Sequence, residues 1–297
     1  MTRLLIGAVA LLSLSGCLRA IATSALADAL SGPGSLGTDD DPELVFAAAP
    51  FGLKTMESVL QEQPHHLGLL TSLASGFTQF AYAAVQQDAD ALELAGKSSE
   101  AKPKVLRAKK LLLRARDYGL RGLEERVPGI TEKLKSMQNL KDAVAPLKKE
   151  DVPLVYWTAA AWALAISDGK EDMGLVAQLP APGALVARAL ELDETWGDGA
   201  LMEFCVSYEA ARPGGTEAGA KAWLDKSLAL SRGRHLGVLV SWAEGPLVQA
   251  QQRDEFKKVL EGVLAADVDA SPDDRLANTV AQRRAKLLLS HLDDLFN

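Results

Sequence analysis

The stretch ALVARALELDETWGDGALMEFCVSY, residues 184–208, decides the fold of this chain. In its first half Leu185 and Leu192 lie two helical turns apart, and in its second half Leu201 and Tyr208 do the same. Between the halves, DETWGDG is rich in residues that end and begin helices. The pattern predicts two amphipathic helices joined by a short turn, which bury their apolar faces against each other and against neighbouring helices.

The same pattern recurs along the chain. AWLDKSLALSRGRHLG at 222–237 and FKKVLEGVLAAD at 256–267 repeat it, and LKTMESVLQEQPHHLGLL at 53–70 is an earlier relative. The spacing between copies lies in the mid-thirties, as in tetratricopeptide repeats, although no single copy carries the full signature. No stretch shows the period-two alternation of a β-strand. We therefore predict an all-α, tetratricopeptide-like helical repeat array built from divergent helix pairs.

Length and charge limit the possible classes of protein. The chain has 297 residues, of which 48% are hydrophobic and 24% charged, as is usual for globular proteins. A repeat array grows along one axis, so residues 42–297 are predicted to form a single helical domain. The net charge of −7 argues against a nucleic-acid partner, because such proteins present a basic surface.

The N-terminus carries the pattern of a lipoprotein signal. Arg3 precedes an apolar run at 4–12 that is too short to span a bilayer, and the sequence LSGC ends at Cys17. This resembles a bacterial lipobox, in which the signal peptide is cut before a cysteine that then carries lipid. We predict a signal peptide at 1–16, lipidation of Cys17, and a lipidated tether and linker at 17–41. The alternative is an ordinary core cysteine after a buried helix.

No pattern in the sequence indicates catalysis. HExxH, GxSxG and phosphate-binding loop motifs are missing, and the two cysteines cannot form a cysteine-type zinc site. Glu203, Glu209 and Glu244 could act as bases, but a glutamate on a repeat helix is usually solvated. We therefore predict no enzyme activity, no catalytic residues, no metal and no cofactor, and we interpret Cys205 as a core residue.

Two helical stretches differ in composition from the rest. LGLLTSLASGFTQFAYAAVQQDAD at 67–90 mixes small and amide side chains with aromatic ones, which favours close packing or a polar-lined groove. PLVYWTAAAWALAIS at 153–167 is apolar on all sides, which predicts a buried central helix. Aromatic, amide and acidic residues of these and later helices are the candidates for ligand or partner contact: Phe77, Gln79, Tyr82, Tyr156, Trp157, Trp162, Trp196, Glu203, Tyr208, Trp242 and Glu244. Core packing is the alternative for each aromatic.

Several blocks carry a resemblance to a known family. The sequence is similar to the T component (the TatT family) of tetratricopeptide-protein-associated TRAP transporters. The resemblance covers nearly the whole chain after the signal peptide. The matching blocks are DDDPELV (39–45), PFGLKTMESVL (50–60), LASGFTQFAYAAVQQDAD (73–90), RAKKLLLRARDYGLRGLE (107–124), VYWTAAAWALAIS (155–167), ELDETWGDGALMEFCVSYEAARPGG (191–215) and RLANTVAQRRAKLLLSHLDDLF (275–296).

The resemblance implies a function that periodicity and charge do not. It implies a periplasm-facing lipoprotein that associates with the substrate-binding (P) component of a TRAP transporter. That system takes up an organic ligand with an acidic group or an apolar body. Leu18 after the lipidated cysteine, rather than Asp, implies anchoring in the outer membrane. The family also allows a homo-oligomer, and it supplies no catalytic residues to transfer.

Two other functions remain open from the sequence. A generic outer-membrane tetratricopeptide lipoprotein, acting as a scaffold for envelope or pilus assembly, would share the lipobox and the repeats. A ligand-binding protein would use an apolar ring or groove lined by aromatics such as Phe77, Tyr82 and Trp157. A packed interior would exclude this last function, and a groove that reaches these residues would favour it.

Overall fold

A computed structural model of the chain describes residues 26–30 and 35–296. Most of these residues are helical, and neither range contains a β-strand, so the all-α prediction is confirmed. The predicted signal peptide at 1–16 and the lipidation site Cys17 lie outside the described residues. Two pieces of the predicted linker contact the domain. Ala27, in a short helix at 26–30, is fully buried, and Ser35–Thr38 forms a 3₁₀ turn against the last long helix.

The helices follow one another along the whole domain. They are α1 (Pro42–Glu62), α2 (Leu67–Phe80), α3 (Gln87–Leu94), α4 (Ser98–Arg126), α5 (Ile130–Ser136), α6 (Leu140–Val144), α7 (Val152–Ser167), α8 (Met173–Val176), α9 (Pro180–Leu192), α10 (Ala200–Ala211), α11 (Glu217–Ser231), α12 (Gly237–Trp242), α13 (Arg253–Ala265), α14 (Arg275–Ser290) and α15 (Leu292–Leu295). Short 3₁₀ turns at Lys149–Asp151, Trp196–Gly199, Val268–Ala270 and Pro272–Asp274 join some of them.

The array of helices closes on itself. Each long helix contacts its neighbours in the chain, and α14 then returns to contact α1 and the turn at Ser35–Thr38. Two hydrogen bonds connect the two ends of the array. Arg283 donates to Glu43 Oε2 at 2.7 Å, and Arg275 Nη1 donates to the Thr38 carbonyl oxygen at 3.1 Å. Because the last helix meets the first, the helices have inner faces, and we call the set of partly exposed side chains on these faces the interior groove.

The predicted helix pair and the predicted central helix are both present. The stretch 184–208 spans α9, a tight turn and α10, and its two helices contact each other. Helix α7 packs against α2, α4 and α9. Its Trp162 side chain is fully buried in the main core. The all-round apolar composition of α7 therefore reflects burial on all sides, as expected.

One predicted boundary is wrong. From its charge and composition, the stretch LELAGKSSEAKPK at 92–104 is predicted to separate two helices along its whole length, but α3 continues to Leu94 and α4 already begins at Ser98. Pro103 lies in the second turn of α4, where it removes a single helical hydrogen bond. Ala101, in the same segment, is fully buried. Burial of this face stabilises the helix more than the proline and the charges disfavour it.

Two π-helical turns interrupt the regular helices. The first, Ala81–Gln86, joins α2 to α3 without a break, and the second, Ala243–Leu247, continues from α12. The second contains Pro246, where the sequence predicts a kink or a break. A π turn accommodates one extra residue and so rotates the following side chains relative to the helix before it. Such turns occur frequently at functional sites.

One stretch of the described residues, 173–192, is long and apolar enough to cross a membrane by length and composition. It is divided between α8 and α9, and its Leu185 and Val186 are buried in the main core. Arg188 from the same stretch donates to the carbonyl oxygens of Ala145 and Leu147, each at 2.9 Å. These contacts make it part of the packed helical array.

The closest approach of α4 and α7 supplies a stability prediction. A Cβ added at Gly119 would lie 2.2 Å from Thr158 Oγ1 and 3.1 Å from Thr158 Cα, so the backbone of α7 would have to move. We expect Gly119→Ala to lower the free energy of unfolding by about 1–3 kcal/mol. Gly52→Ala is the control, because a Cβ there meets nothing within 4 Å.

Alanine favours a helix over glycine, so the control should be neutral or stabilising by up to ~1 kcal/mol. Urea unfolding measures both variants. Equal effects of the same sign would contradict the close approach of these two helices.

Candidate functional site: a polar groove inside the array

The interior groove is lined by side chains that are surrounded by protein but still reach solvent. Glu203 of α10 and Tyr82 of the first π turn both keep part of their accessible surface. Burial nevertheless raises the pKa of Glu203 to about 7, and it also raises the pKa of Tyr82. Partial exposure together with burial by the surrounding protein is what we expect of groups that line an interior groove. Its lining residues are Tyr82, Asp90, Tyr156, Trp157, Asp168, Trp196, Glu203, Glu244 and Arg284.

An ion triad crosses this groove. The Arg284 guanidinium lies between two carboxylates, with Nη1 2.8 Å from Asp90 Oδ2 and Nε 3.0 Å from Glu244 Oε1. Only 11% of the Arg284 side chain is exposed. Burial raises the pKa of Asp90 while the charge of Arg284 lowers it. The triad joins α3 to the second π turn and α14, and so ties the two ends of the array together.

Among the buried polar atoms of the described residues that lack a hydrogen-bond partner, three belong to side chains near Asp90. They are Gln86 Oε1, Gln87 Nε2 and Asp168 Oδ2. Burial, followed by the charge of Asp90, raises the pKa of Asp168 to about 7. Buried polar atoms in proteins are nearly always hydrogen-bonded. These atoms are one amide donor and two oxygen atoms that no group of the described residues satisfies.

The other end of the groove is aromatic. The Tyr156 ring lies 4.9 Å from the ring of Trp157 and 4.8 Å from that of Trp196, measured between centroids. Burial and the nearby Glu203 carboxylate raise the pKa of Tyr156. Gly237 has no side chain and so leaves room for the Glu203 carboxylate, because a Cβ at this position would lie 2.6 Å from Glu203 Oε1. A carboxylate thus borders a cluster of three aromatic rings.

The other predicted contact residues lie in different environments. Phe77, Trp162 and Trp242 are buried in the hydrophobic core, so they have little surface to offer a ligand or partner. Tyr208 stacks on Phe204 at 5.7 Å, and its hydroxyl lies against Gly183. Gln79 is exposed, on the helical face that leads to Tyr82. The structure thus brings together Tyr82, Tyr156, Trp157, Trp196, Glu203 and Glu244 of the predicted set.

Sequence reasoning missed three residues of the groove: Asp90, Asp168 and Arg284. Arg284 did carry a signal, because it lies on the same face of α14 as the buried Ala281 and Leu288. A charged side chain on a buried face needs a partner of opposite charge. Asp90 and Asp168 gave no comparable signal, since each lies at or near the end of a helix, where aspartate is common.

A separate open depression lies on α4, outside the groove. It has a volume of about 430 Å³ and is lined by basic residues that include Lys110, Arg114 and Arg121. Arg114 lies 3.5 Å from Glu57, and Arg121 donates to the Pro64 carbonyl oxygen. These residues form a solvated helix face.

Neither metal nor thiol chemistry is indicated in the described part of the chain. Within residues 26–30 and 35–296, no group of three or more His, Cys, Asp and Glu side chains could hold a metal ion. Cys205 is buried, and burial raises the pKa of its thiol to about 12. A protonated, buried thiol is unreactive, which confirms Cys205 as a core residue.

Glu203 should make stability depend on pH. Its folded pKa of about 7 lies above its ordinary value of 4.5, so the folded state holds a proton that the unfolded state has lost. Wild-type stability should therefore fall as the pH rises from 4.5 to about 7. Asp168, whose pKa is also about 7, contributes a fall of the same sign, so Glu203→Gln should remove only the part due to Glu203. The variant should be more stable than wild type by roughly 1–3 kcal/mol near pH 8 but not near pH 4.5.

Thermal or urea unfolding across this pH range measures the difference, with the exposed Glu132→Gln as control. A pH-independent difference between Glu203→Gln and wild type would show that Glu203 is not desolvated.

Comparison with known proteins identifies a family that the chain matches. The model of a family described as TRAP transporter T-component matches residues 38–296. An uncharacterized protein of Treponema pallidum (strain Nichols) is 28% identical to this chain over 270 residues, which cover 87% of this chain and 81% of the relative. The family match spans the helical array from the turn at Ser35–Thr38 to its last helices, including every residue of the groove.

Proposed function

The chain belongs to the TRAP transporter T-component family, and from this membership we propose that it associates with the periplasmic substrate-binding component of a TRAP transporter. The family match over residues 38–296 is the observation that carries the proposal. In this role the chain assists uptake of an organic ligand as an adaptor. Helical repeat arrays suit such a role, because they present extended surfaces to partner proteins.

An exposed apolar stripe on α1 supports a protein partner. Leu44 and Phe51 lie two turns apart on this helix, and Phe51 is 79% exposed. The exposed Ala48 lies between them on the same face. Aromatic side chains at the centre of an interface commonly contribute most of its binding energy. We therefore assign this stripe to the contact with the substrate-binding component.

A co-purification experiment tests the adaptor role. The full-length chain, purified in detergent and attached to a resin, is mixed with periplasmic extract, and the retained proteins are identified by mass spectrometry. Retention of a TRAP-type substrate-binding protein supports the proposal. Retention of envelope- or pilus-assembly proteins instead would replace it with the general scaffold function.

Variants of the stripe sharpen this experiment. Phe51→Ser and Leu44→Ser should reduce retention of the substrate-binding protein, whereas Met173→Ser, at another exposed apolar side chain, should not. Equal retention by all three variants would place the contact elsewhere on the array.

Attachment to the outer membrane, facing the periplasm, is the second part of the proposal. It rests on the lipobox that ends at Cys17. Cys17→Ser should move the protein from the membrane fraction to the soluble periplasmic fraction without changing its thermal unfolding, because lipid and not the helical array holds it there. Fractionation followed by immunoblotting measures this. Membrane association that persists in Cys17→Ser would overturn the lipid anchor.

A further inference from the structure

We propose that the interior groove is a ligand site on this chain itself, and that it binds an organic ammonium group between the Glu203 carboxylate and the rings of Tyr156, Trp157 and Trp196. The proposal goes beyond the adaptor function, because it requires no contact with a substrate-binding component. The ligand class is a primary or quaternary ammonium carried on an apolar body. Aromatic rings beside a carboxylate are the recognition elements that this class of ligand needs.

The aromatic end of the groove holds no cation of the described part of the chain. The Tyr156 ring contacts the rings of Trp157 and Trp196, at 4.9 and 4.8 Å between centroids. The cation–ring contacts found elsewhere in the described residues engage other aromatic side chains: Phe77, Phe80, Tyr118, Trp162 and Trp223. No arginine or lysine of residues 26–30 and 35–296 therefore occupies the ring faces of Tyr156, Trp157 or Trp196.

Glu203 lacks a partner of its own. Within the same described ranges, its carboxylate makes no hydrogen bond or ion pair, although protein surrounds it. The titratable groups that face it are Tyr156 of α7 and Tyr82 of the first π turn, and neither carries a positive charge. An ionised carboxylate inside a protein requires a compensating charge. A ligand ammonium would supply it.

The charges along the groove favour a cation over an anion. Four carboxyl groups, those of Asp90, Asp168, Glu203 and Glu244, face the single guanidinium of Arg284. Arg284 already pairs with two of them and has no charge to spare for an anionic ligand. Two lysines also act on these carboxyl groups: Lys170 on Asp90 and Asp168, and Lys109, which pairs with Glu171 at 3.1 Å, on Asp168. The groove thus carries excess negative charge, which attracts cations and repels the acidic ligand that the family resemblance suggests.

The polar end of the groove supplies the remaining contacts. Asp168 Oδ2 and Gln87 Nε2 are buried without hydrogen-bond partners, and the charge of Asp90 acts on Asp168. Tyr82 connects this end to Glu203, because the charges of Glu203, Glu244 and Asp90 all act on its hydroxyl. We place the far end of the ligand toward Asp168, where these buried side chains would have to turn to reach it.

Three probes with one carbon skeleton test the proposal. The full-length chain is titrated with 2-phenylethylammonium, its neutral analogue 2-phenylethanol, and the anion phenylacetate, and binding is followed by calorimetry and by tryptophan fluorescence. We expect the ammonium to bind about tenfold more tightly than either analogue near pH 8. Its affinity should fall on acidification to about pH 6, because protonation of Glu203 removes the compensating charge.

Two variants and a control make the test specific to the site. Glu203→Gln should abolish the preference for the ammonium, and the exposed Glu132→Gln should keep it. Gly237→Ala is a second variant that retains the carboxylate but displaces it, because its Cβ would lie 2.6 Å from Glu203 Oε1. Circular dichroism verifies that each variant is folded.

Equal binding of the three probes, a preference for phenylacetate, or no binding of the ammonium would each overturn the proposal. These outcomes are independent of the co-purification experiment. Capture of a substrate-binding protein without ammonium binding would contradict only the proposed ligand site. Ammonium binding without capture of such a protein would contradict only the proposed adaptor function.

Discussion

Replacing Trp162 with alanine is expected to lower the free energy of unfolding by about 3–5 kcal/mol. Its side chain is fully buried in the main core, and its Nε1 donates to Gln178 Oε1 at 3.0 Å. The Arg116 guanidinium lies over its ring, 5.5 Å from the centroid. Truncation would leave a large cavity in the middle of the array and an unpaired amide oxygen, and both are destabilising.

The matched control for Trp162→Ala is Trp157→Ala, on the same helix. Trp157 keeps part of its accessible surface at the groove, so its truncation should cost clearly less than that of Trp162. Urea unfolding followed by circular dichroism measures both variants under the same conditions. A cost for Trp162→Ala that is no larger than that of Trp157→Ala would contradict the central position of α7 in the core.

The helices and their pairing could be predicted because both follow from local patterns. An apolar residue every third or fourth position marks each helix face, and the turn residues of DETWGDG mark the junction between α9 and α10. The burial of α7 was equally local, since a helix without a polar face must be covered on all sides. The start of α4 was predicted wrongly because it does not follow from local patterns. There the tertiary packing of Ala101 outweighs the low helix propensity of the charged, proline-containing segment.

The groove could be predicted only in part, because its residues meet through the closure of the array. Tyr82, Tyr156, Glu203 and Glu244 were found as single residues, from aromatic character or charge on a repeat helix. Asp90 and Arg284 are far apart in the chain and meet only because α14 returns to the first helices. The two π turns rotate the side chains that follow them, and regular helical spacing does not predict that rotation.

The closure of the array also explains why the groove exists. A helical array that ends against its own first helix has inner faces, and whatever side chains point inward lie on them. Here those side chains are charged and aromatic, and the charged ones include carboxyl groups that stability alone would not favour. Their cost is offset where a guanidinium pairs with them, and this makes Arg284 the residue whose removal should matter most.

Arg284→Met is therefore expected to lower the free energy of unfolding by about 3–5 kcal/mol at neutral pH. Methionine fills a similar volume, but it leaves Asp90 and Glu244 inside the groove without the positive charge that both contact. Burial already raises the pKa of Asp90 while the charge of Arg284 lowers it, so loss of the guanidinium would raise the pKa of Asp90 further. The folded state would bind more protons than the unfolded state, so the variant should recover stability as the pH falls toward about 4–5.

The triple variant Asp90→Asn, Glu244→Gln, Arg284→Met separates loss of charge compensation from loss of packing. Since it removes the two uncompensated carboxylates as well, it should recover most of the lost stability at neutral pH. Arg283→Met, at the neighbouring exposed arginine, should change stability little, because its ion pair with Glu43 lies on the surface. Urea unfolding near pH 5 and pH 8 measures all three. If Arg284→Met is destabilised equally at both pH values and the triple variant is not rescued, then Arg284 stabilises the array by packing, and the triad is not the electrostatic link that joins its two ends.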